Sequence, residues 1–384
     1  MQFLNFYAVI ALVLGIQLGG PRVGRAQAGS PADSVERGGL TFGVLAQGAL
    51  IVSHSPAIAH LVASHPSGWE LSAERQTTGR APWHAWHRFP RVGVALIYYD
   101  YHNPVLGQSL AATLYLSKRL AAGRRYQAHL RLGTGVAYFN RPYDLATNRK
   151  NTLVSSALNA TIQARLDLDY RLSPRLGLLL GLGLSHYSNG AVAKPNYGVN
   201  LPTVQLGLRY GQLRPAPTAA PAPAPADVGH NFLYVSVGAG SKRRTPGDPA
   251  RYLVSSLSVA AGRRLNAKSN LLLGLEACDD RSLPATLADT ARDQSNLPDT
   301  RKASVFVGHE LLLGRLAVNT QLGAYFYSPY RSSTTYNQRV GLKYQLTDHF
   351  FAALDLKAHR AVADALELRL GLRLGRQRPV TGWE

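Results

Sequence analysis

Apolar and polar residues alternate along most of the chain. From Leu158 to Tyr170 the even positions Leu158, Ala160, Ile162, Ala164, Leu166, Leu168 and Tyr170 are apolar, while Asn159, Thr161, Gln163, Arg165, Asp167 and Asp169 are polar. Successive side chains of an extended strand point to opposite faces, so the pattern predicts a strand apolar on one side and charged on the other. The same alternation runs from Tyr126 to Tyr138, Val204 to Tyr210, Tyr336 to Leu346 and Leu366 to Leu374. About sixteen strands are predicted. Their cores lie at 40–52, 69–77, 91–101, 108–119, 125–139, 157–171, 176–188 and 203–212, then at 230–241, 253–264, 270–278, 302–313, 315–327, 336–346, 349–357 and 366–376.

A soluble sandwich alternates too, so strand length and connections decide. Many of these strands run about 9 to 13 residues, the length that crosses a bilayer at a tilt, whereas soluble strands average about 5 to 6. Tyr126, Tyr138, Tyr170 and Tyr210 stand at strand ends on the apolar face, as in an interfacial girdle. Tight connections at 172–175, 313–315 and 346–349 alternate with longer ones at 140–156, 189–202, 279–300 and 328–335. Short periplasmic turns and longer outer loops are the habit of transmembrane barrels. The fold class predicted is an all-β antiparallel transmembrane β-barrel. The long connection 78–90 breaks the rule and reads as an interfacial segment anchored by Trp83 and Trp86.

Pro215 to Ala226 is a Pro/Ala tract, stiff and unpacked, on the periplasmic side. It separates a first half, 29–213, from a second, 228–384, with 214–227 as linker. The two halves do not read as repeats of each other, which favours one sixteen-stranded barrel; two tandem eight-stranded barrels are the alternative.

The apolar run from Asn5 to Gly20 followed by Ala26-Gln27-Ala28 reads as a secretory signal peptide ending at residue 28. A lone cysteine, Cys278, excludes an internal disulfide framework, so a core or a bilayer must hold the chain. The net charge of +20 suits anionic surfaces such as phosphorylated lipids, and no nucleic-acid-binding motif accompanies it.

One stretch departs from the rest. On strand 176–188 the even positions Leu176 to Leu184 form a lipid-facing row, and the row ends in His186 and Ser188. An imidazole and a hydroxyl two residues apart on one face can act as general base and nucleophile. Asn200, on the outward face of the next strand, can return beside His186 and orient it. The backbone N–H groups at Asn189 and Gly190, with the Asn189 amide, are candidates for an oxyanion hole. Ser-Asn-Gly is also an ordinary turn sequence, and its place at a lipid-facing strand end is what raises the catalytic reading.

His186-x-Ser188-Asn189-Gly190, followed by Pro195-Asn196-x-Gly198, resembles the signature of PagL-type lipid A deacylases, or acyloxyacyl hydrolases, most strongly over about 91–210. The resemblance implies an outer-membrane barrel that removes an ester-linked acyl chain from lipid A with Ser188 and His186; no cofactor or metal site is read from the residues. Asn200 stands where that family's smaller members carry a glutamate. In this it resembles outer-membrane phospholipase A, whose Ser-His-Asn triad matches Ser188, His186 and Asn200. That second family typically uses calcium and dimerises, and no acidic cluster accompanies 189–202. Lipid A or lipopolysaccharide in the outer leaflet is thus the expected partner, and a homodimer is left open. A non-catalytic pore or adhesin is the rival of another class.

Other residues carry less. Trp83-His84-Ala85-Trp86-His87 has no carboxylate or cysteine at ligand spacing. Cys278-Asp279-Asp280 reads as solvated. His309 and Glu310 fall on opposite strand faces. Asp100 and Asp144 are substitute acids that sequence cannot place near His186.

Overall fold

The structure, a computed structural model, describes residues 39–53, 55–212, 227–291, 297–330, 335–360 and 362–375. The signal-peptide region and the Pro/Ala tract lie outside these described residues. All sixteen predicted strands are present. The first eight are β1 (Leu40–Ala49), β2 (Ser67–Gln76), β3 (Arg91–Asp100), β4 (Gln108–Ala122), β5 (Tyr126–Phe139), β6 (Leu158–Arg171), β7 (Leu176–Ser188) and β8 (Val199–Gly211). The second eight are β9 (Asn231–Lys242), β10 (Tyr252–Asn266), β11 (Ser269–Asp280), β12 (Lys302–Leu313), β13 (Leu316–Tyr327), β14 (Tyr336–Gln345), β15 (Phe350–His359) and β16 (Val362–Leu374).

The strands close into two barrels, not one. Strand β8 turns back onto β1, pairing Tyr210 with Phe42 and Val204 with Gly48. Strand β16 likewise pairs with β9, Leu370 opposite Val237. This overturns the expectation of a single sixteen-stranded barrel, and the tandem alternative fits. The physical reason lies in the lumens. An eight-stranded barrel is just wide enough for side chains to fill, and the inward charges are placed to fill it. In the first barrel Glu70 lies between Arg131 (2.5 Å) and Arg165 (2.8 Å), and Asp169 between Arg91 (2.8 Å) and Arg209 (2.5 Å). In the second, Arg339 joins Glu276 to Glu367, and Lys357 adds a 2.9 Å pair to Glu276. Each charge needs these partners, because breaking a buried pair costs about 3–5 kcal/mol.

The outward faces are apolar and bare. Leu114 and Leu158 are each 68% exposed and Leu368 is 58% exposed. Two belts of this kind suit hydrocarbon, not water.

At the long-loop end of the first barrel an apolar plug closes the mouth. Inward-facing Tyr99, Phe139 and Tyr187 meet Ile58 and Leu61 from the β1–β2 connection and Leu153 and Val154 from the β5–β6 connection. The Tyr187 ring packs edge-on against Phe139 at 5.6 Å. Tyr187 sits between His186 and Ser188 in sequence, so the plug fixes from inside the strand end whose outside carries those two residues.

The connection at 77–90 is a strut, not an interfacial anchor. It holds a short helix, α1 (Pro82–Trp86), whose Trp83 is buried at 5% exposure. His87, also buried, donates from Nε2 to the Leu312 carbonyl of the second barrel at 2.8 Å. Burial holds the His87 imidazole well below its usual value, at about 4.

Candidate active site

Strands β7 and β8 build the site by register. His186 lies directly opposite Asn200, and both point outward. The His186 Nδ1 donates to the Asn200 Oδ1 at 2.7 Å. That bond keeps the proton on Nδ1 and leaves Nε2 as the ring's accepting nitrogen. Strand β8 is held in turn by the extension of β1, with Val52 N donating to Asn200 O at 3.0 Å.

Ser188 follows on the same outward face. Its Oγ accepts from the Asn196 Nδ2 at 2.8 Å and from the Gly190 N–H at 3.2 Å. Ser188 is 8% exposed and Asn200 4% exposed, although both face away from the lumen. The β7–β8 connection therefore folds over the pair. It is pinned by the β5–β6 connection, where Gly198 N donates to Leu153 O at 2.9 Å and Asn189 Nδ2 to Ser155 Oγ at 3.1 Å.

Gly198 has no alternative here. Its φ is +77°, and a Cβ would stand 2.7 Å from the His186 Cε1. Any side chain would strain the backbone and push the imidazole out of register.

Of the expected oxyanion donors, Gly190 N–H does point at the Ser188 oxygen. Asn189 is otherwise engaged: its N–H donates to Asn196 Oδ1 at 3.3 Å, and its amide holds Ser155 and the Ala193 N–H. The donor that sequence reasoning did not single out is the Asn196 side chain. It sat inside the quoted Pro-Asn-x-Gly motif, but a turn asparagine gives no sign of which way its amide faces.

The substitute acids do not join this cluster. Asp100 accepts from His102 N and Gln108 Nε2, and Asp144 from the Ala146 and Thr147 N–H groups of its own turn, which hold its carboxyl below the usual range. His84 accepts from Gly79 N, so the two histidines of the tryptophan-rich segment serve the strut. Asp280 is ion-paired to Lys242 at 2.5 Å and buried, not solvated. His309 faces outward and Glu310 inward to Lys343, as expected of neighbours on a strand. A cavity of about 540 Å³ lies at the far end of the second barrel, around Phe232, Gly262 and Leu272, away from Ser188.

Two closed antiparallel barrels with bare apolar belts, one of them carrying a histidine, an asparagine and a serine on its lipid side, define an outer-membrane β-barrel protein. Comparison with family models places it further. The model described as "Lipid A 3-O-deacylase (PagL)" matches residues 67–209, and "Acyloxyacyl hydrolase, C-terminal domain" matches residues 231–376. Together they span about three quarters of the sequence, and the chain belongs to the PagL lipid A deacylase family. No curated protein matches. Among solved structures, Neisserial surface protein A is 14% identical over 45% of this chain and 98% of its own, with a TM-score of 0.31. The Pseudomonas putida toluene transporter TodX is 9% identical over 88% of each chain, with a TM-score of 0.17. An outer membrane channel from Pseudomonas putida F1 is 13% identical over 89% of this chain and 98% of its own, with a TM-score of 0.19. At such scores the likeness carries no functional argument; the fold stands on the strand pairing above.

Proposed function

We propose that this chain is a serine esterase that removes an ester-linked acyl chain from lipid A, with Ser188 as nucleophile, His186 as general base and Asn200 as the group that orients the imidazole. The observation that carries the reading is the 2.7 Å bond between His186 Nδ1 and Asn200 Oδ1 beside Ser188, on the lipid side of a family member.

The steps follow from the geometry. Ser188 Oγ turns from Asn196 to His186, gives its proton to Nε2 and attacks the ester carbonyl. Negative charge develops on the former carbonyl oxygen, and the Asn196 Nδ2 and Gly190 N–H, both already within reach of Oγ, stabilise it. Collapse expels the sugar-side alcohol, which takes the proton back from Nε2. Water then enters by the same route, gives a proton to His186 and attacks the acyl carbonyl; the bond to Ser188 Oγ breaks, Oγ takes the proton back from Nε2, and the fatty acid leaves. Throughout, the Asn200 amide oxygen holds the imidazolium. It does so less strongly than a carboxylate, which costs rate and leaves the path intact.

Asn200 also favours a second reading, a phospholipase A, since Ser-His-Asn fits that chemistry equally. The homodimer left open by the sequence gains no support. Incubating the detergent-purified chain separately with lipid A and with phosphatidylethanolamine, and identifying the acid released, separates the two. A hydroxyacyl acid from lipid A supports the deacylase. Release from the phospholipid alone moves the assignment to the phospholipase, and release from neither returns the chain to the pore or adhesin reading.

A further inference from the structure

We propose that the second barrel forms one wall of the reaction site: Leu356 and Leu366 line the path of the substrate's acyl chain beside Ser188 and select its length. The proposal rests on the esterase reading above. It starts at Gly190, two residues after Ser188. With φ at +64°, a Cβ on Gly190 would stand 3.1 Å from the Leu366 Cβ and 3.3 Å from the Leu356 Cδ1. Leu356 and Leu366 are cross-strand partners on β15 and β16, on the outward face of the second barrel. A further tie lies alongside, where Arg243 N donates to Ala191 O at 3.4 Å. The two barrels therefore touch at the rim, directly beside the nucleophile.

Below that contact the faces are bare. Leu354 and Leu368, the outward neighbours of Leu356 and Leu366, are 51% and 58% exposed, and Leu182 on β7 is 57% exposed. These apolar faces are the surfaces that would bound an acyl path running from Ser188 towards the bilayer interior. The ester carbonyls of a lipid lie at the boundary between headgroup and hydrocarbon. A carbonyl held at Ser188 must send its chain down into hydrocarbon, along β7, with the second barrel at its side. Walls of this kind discriminate by volume, each methylene gained or lost being worth about tenfold or more in specificity.

The test uses the full chain in detergent and two probes, p-nitrophenyl butyrate and p-nitrophenyl palmitate. The readout is the ratio of kcat/KM for palmitate to that for butyrate. Leu366→Trp should lower that ratio about tenfold, by filling that path, and Leu366→Ala or Leu356→Ala should raise it. The alanine variants keep the test alive if the tryptophan prevents folding, which heat-modifiable gel mobility reports. Ratios that stay at the wild-type value in the folded variants overturn the wall while leaving the esterase standing. A wild-type chain that cleaves neither probe overturns the esterase reading and the wall with it.

Discussion

His186 and Asn200 face each other across β7 and β8, Nδ1 to Oδ1 at 2.7 Å, as exact register partners of one antiparallel pair. The group proposed to orient the imidazole is therefore placed by backbone pairing rather than by a loop. Asn200→Ala should lower kcat about a hundredfold with little change in KM, because in the proposed mechanism Asn200 acts through His186. Asn200→Glu should keep or raise kcat, since a carboxylate stabilises the imidazolium better. Steady-state rates on a soluble ester check both.

Asn196 gives a second prediction. Its Nδ2 lies 2.8 Å from the Ser188 Oγ, close to where the carbonyl oxygen of an attacked ester would take up negative charge. Asn196→Ala should lower kcat about 10²–10³-fold, while Asn196→Asp, which replaces a donor by an acceptor, should do at least as much harm. A structural role alone would show instead as lost barrel stability, read from the temperature at which the heat-modifiable band shifts.

Gly198 is the steric prediction. A Cβ there meets the His186 ring at 2.7 Å with φ at +77°. Gly198→Ala should cut activity more than tenfold while the barrels still close, since the turn lies outside the strand ladders.

The strut gives a pH prediction. Burial lowers the His87 imidazole to about 4 in the folded state, against about 6.5 when exposed. Between those values the unfolded chain binds the extra proton and the folded one does not. The stabilising contribution is therefore complete above pH 6.5 and is lost as pH falls towards 4, by about 3 kcal/mol. The melting temperature should drop over that window. His87→Gln should flatten the dependence, and an unaltered acid slope in that variant would contradict it.

Much of the fold was legible in alternation alone. Strand β7 was read at 176–188 and is found at Leu176–Ser188, because period two is a local signal. Barrel number was not legible. Closure depends on the pairing of β8 with β1, more than 150 residues apart, and one large or two small barrels need the same alternation. His186, Ser188 and Asn200 shared a face by parity, so the pairing of His186 with Asn200 could be anticipated. Asn196 lay in a turn, where parity has no meaning. His87 acts through a contact with the other barrel, which no local pattern encodes.

The most direct test of Ser188 as nucleophile is the mass spectrum of lipid A after incubation with the purified wild-type chain and with Ser188→Ala. The account predicts loss of one acyl mass with the wild type and unchanged lipid A with the folded variant. The same acyl loss in Ser188→Ala would contradict it.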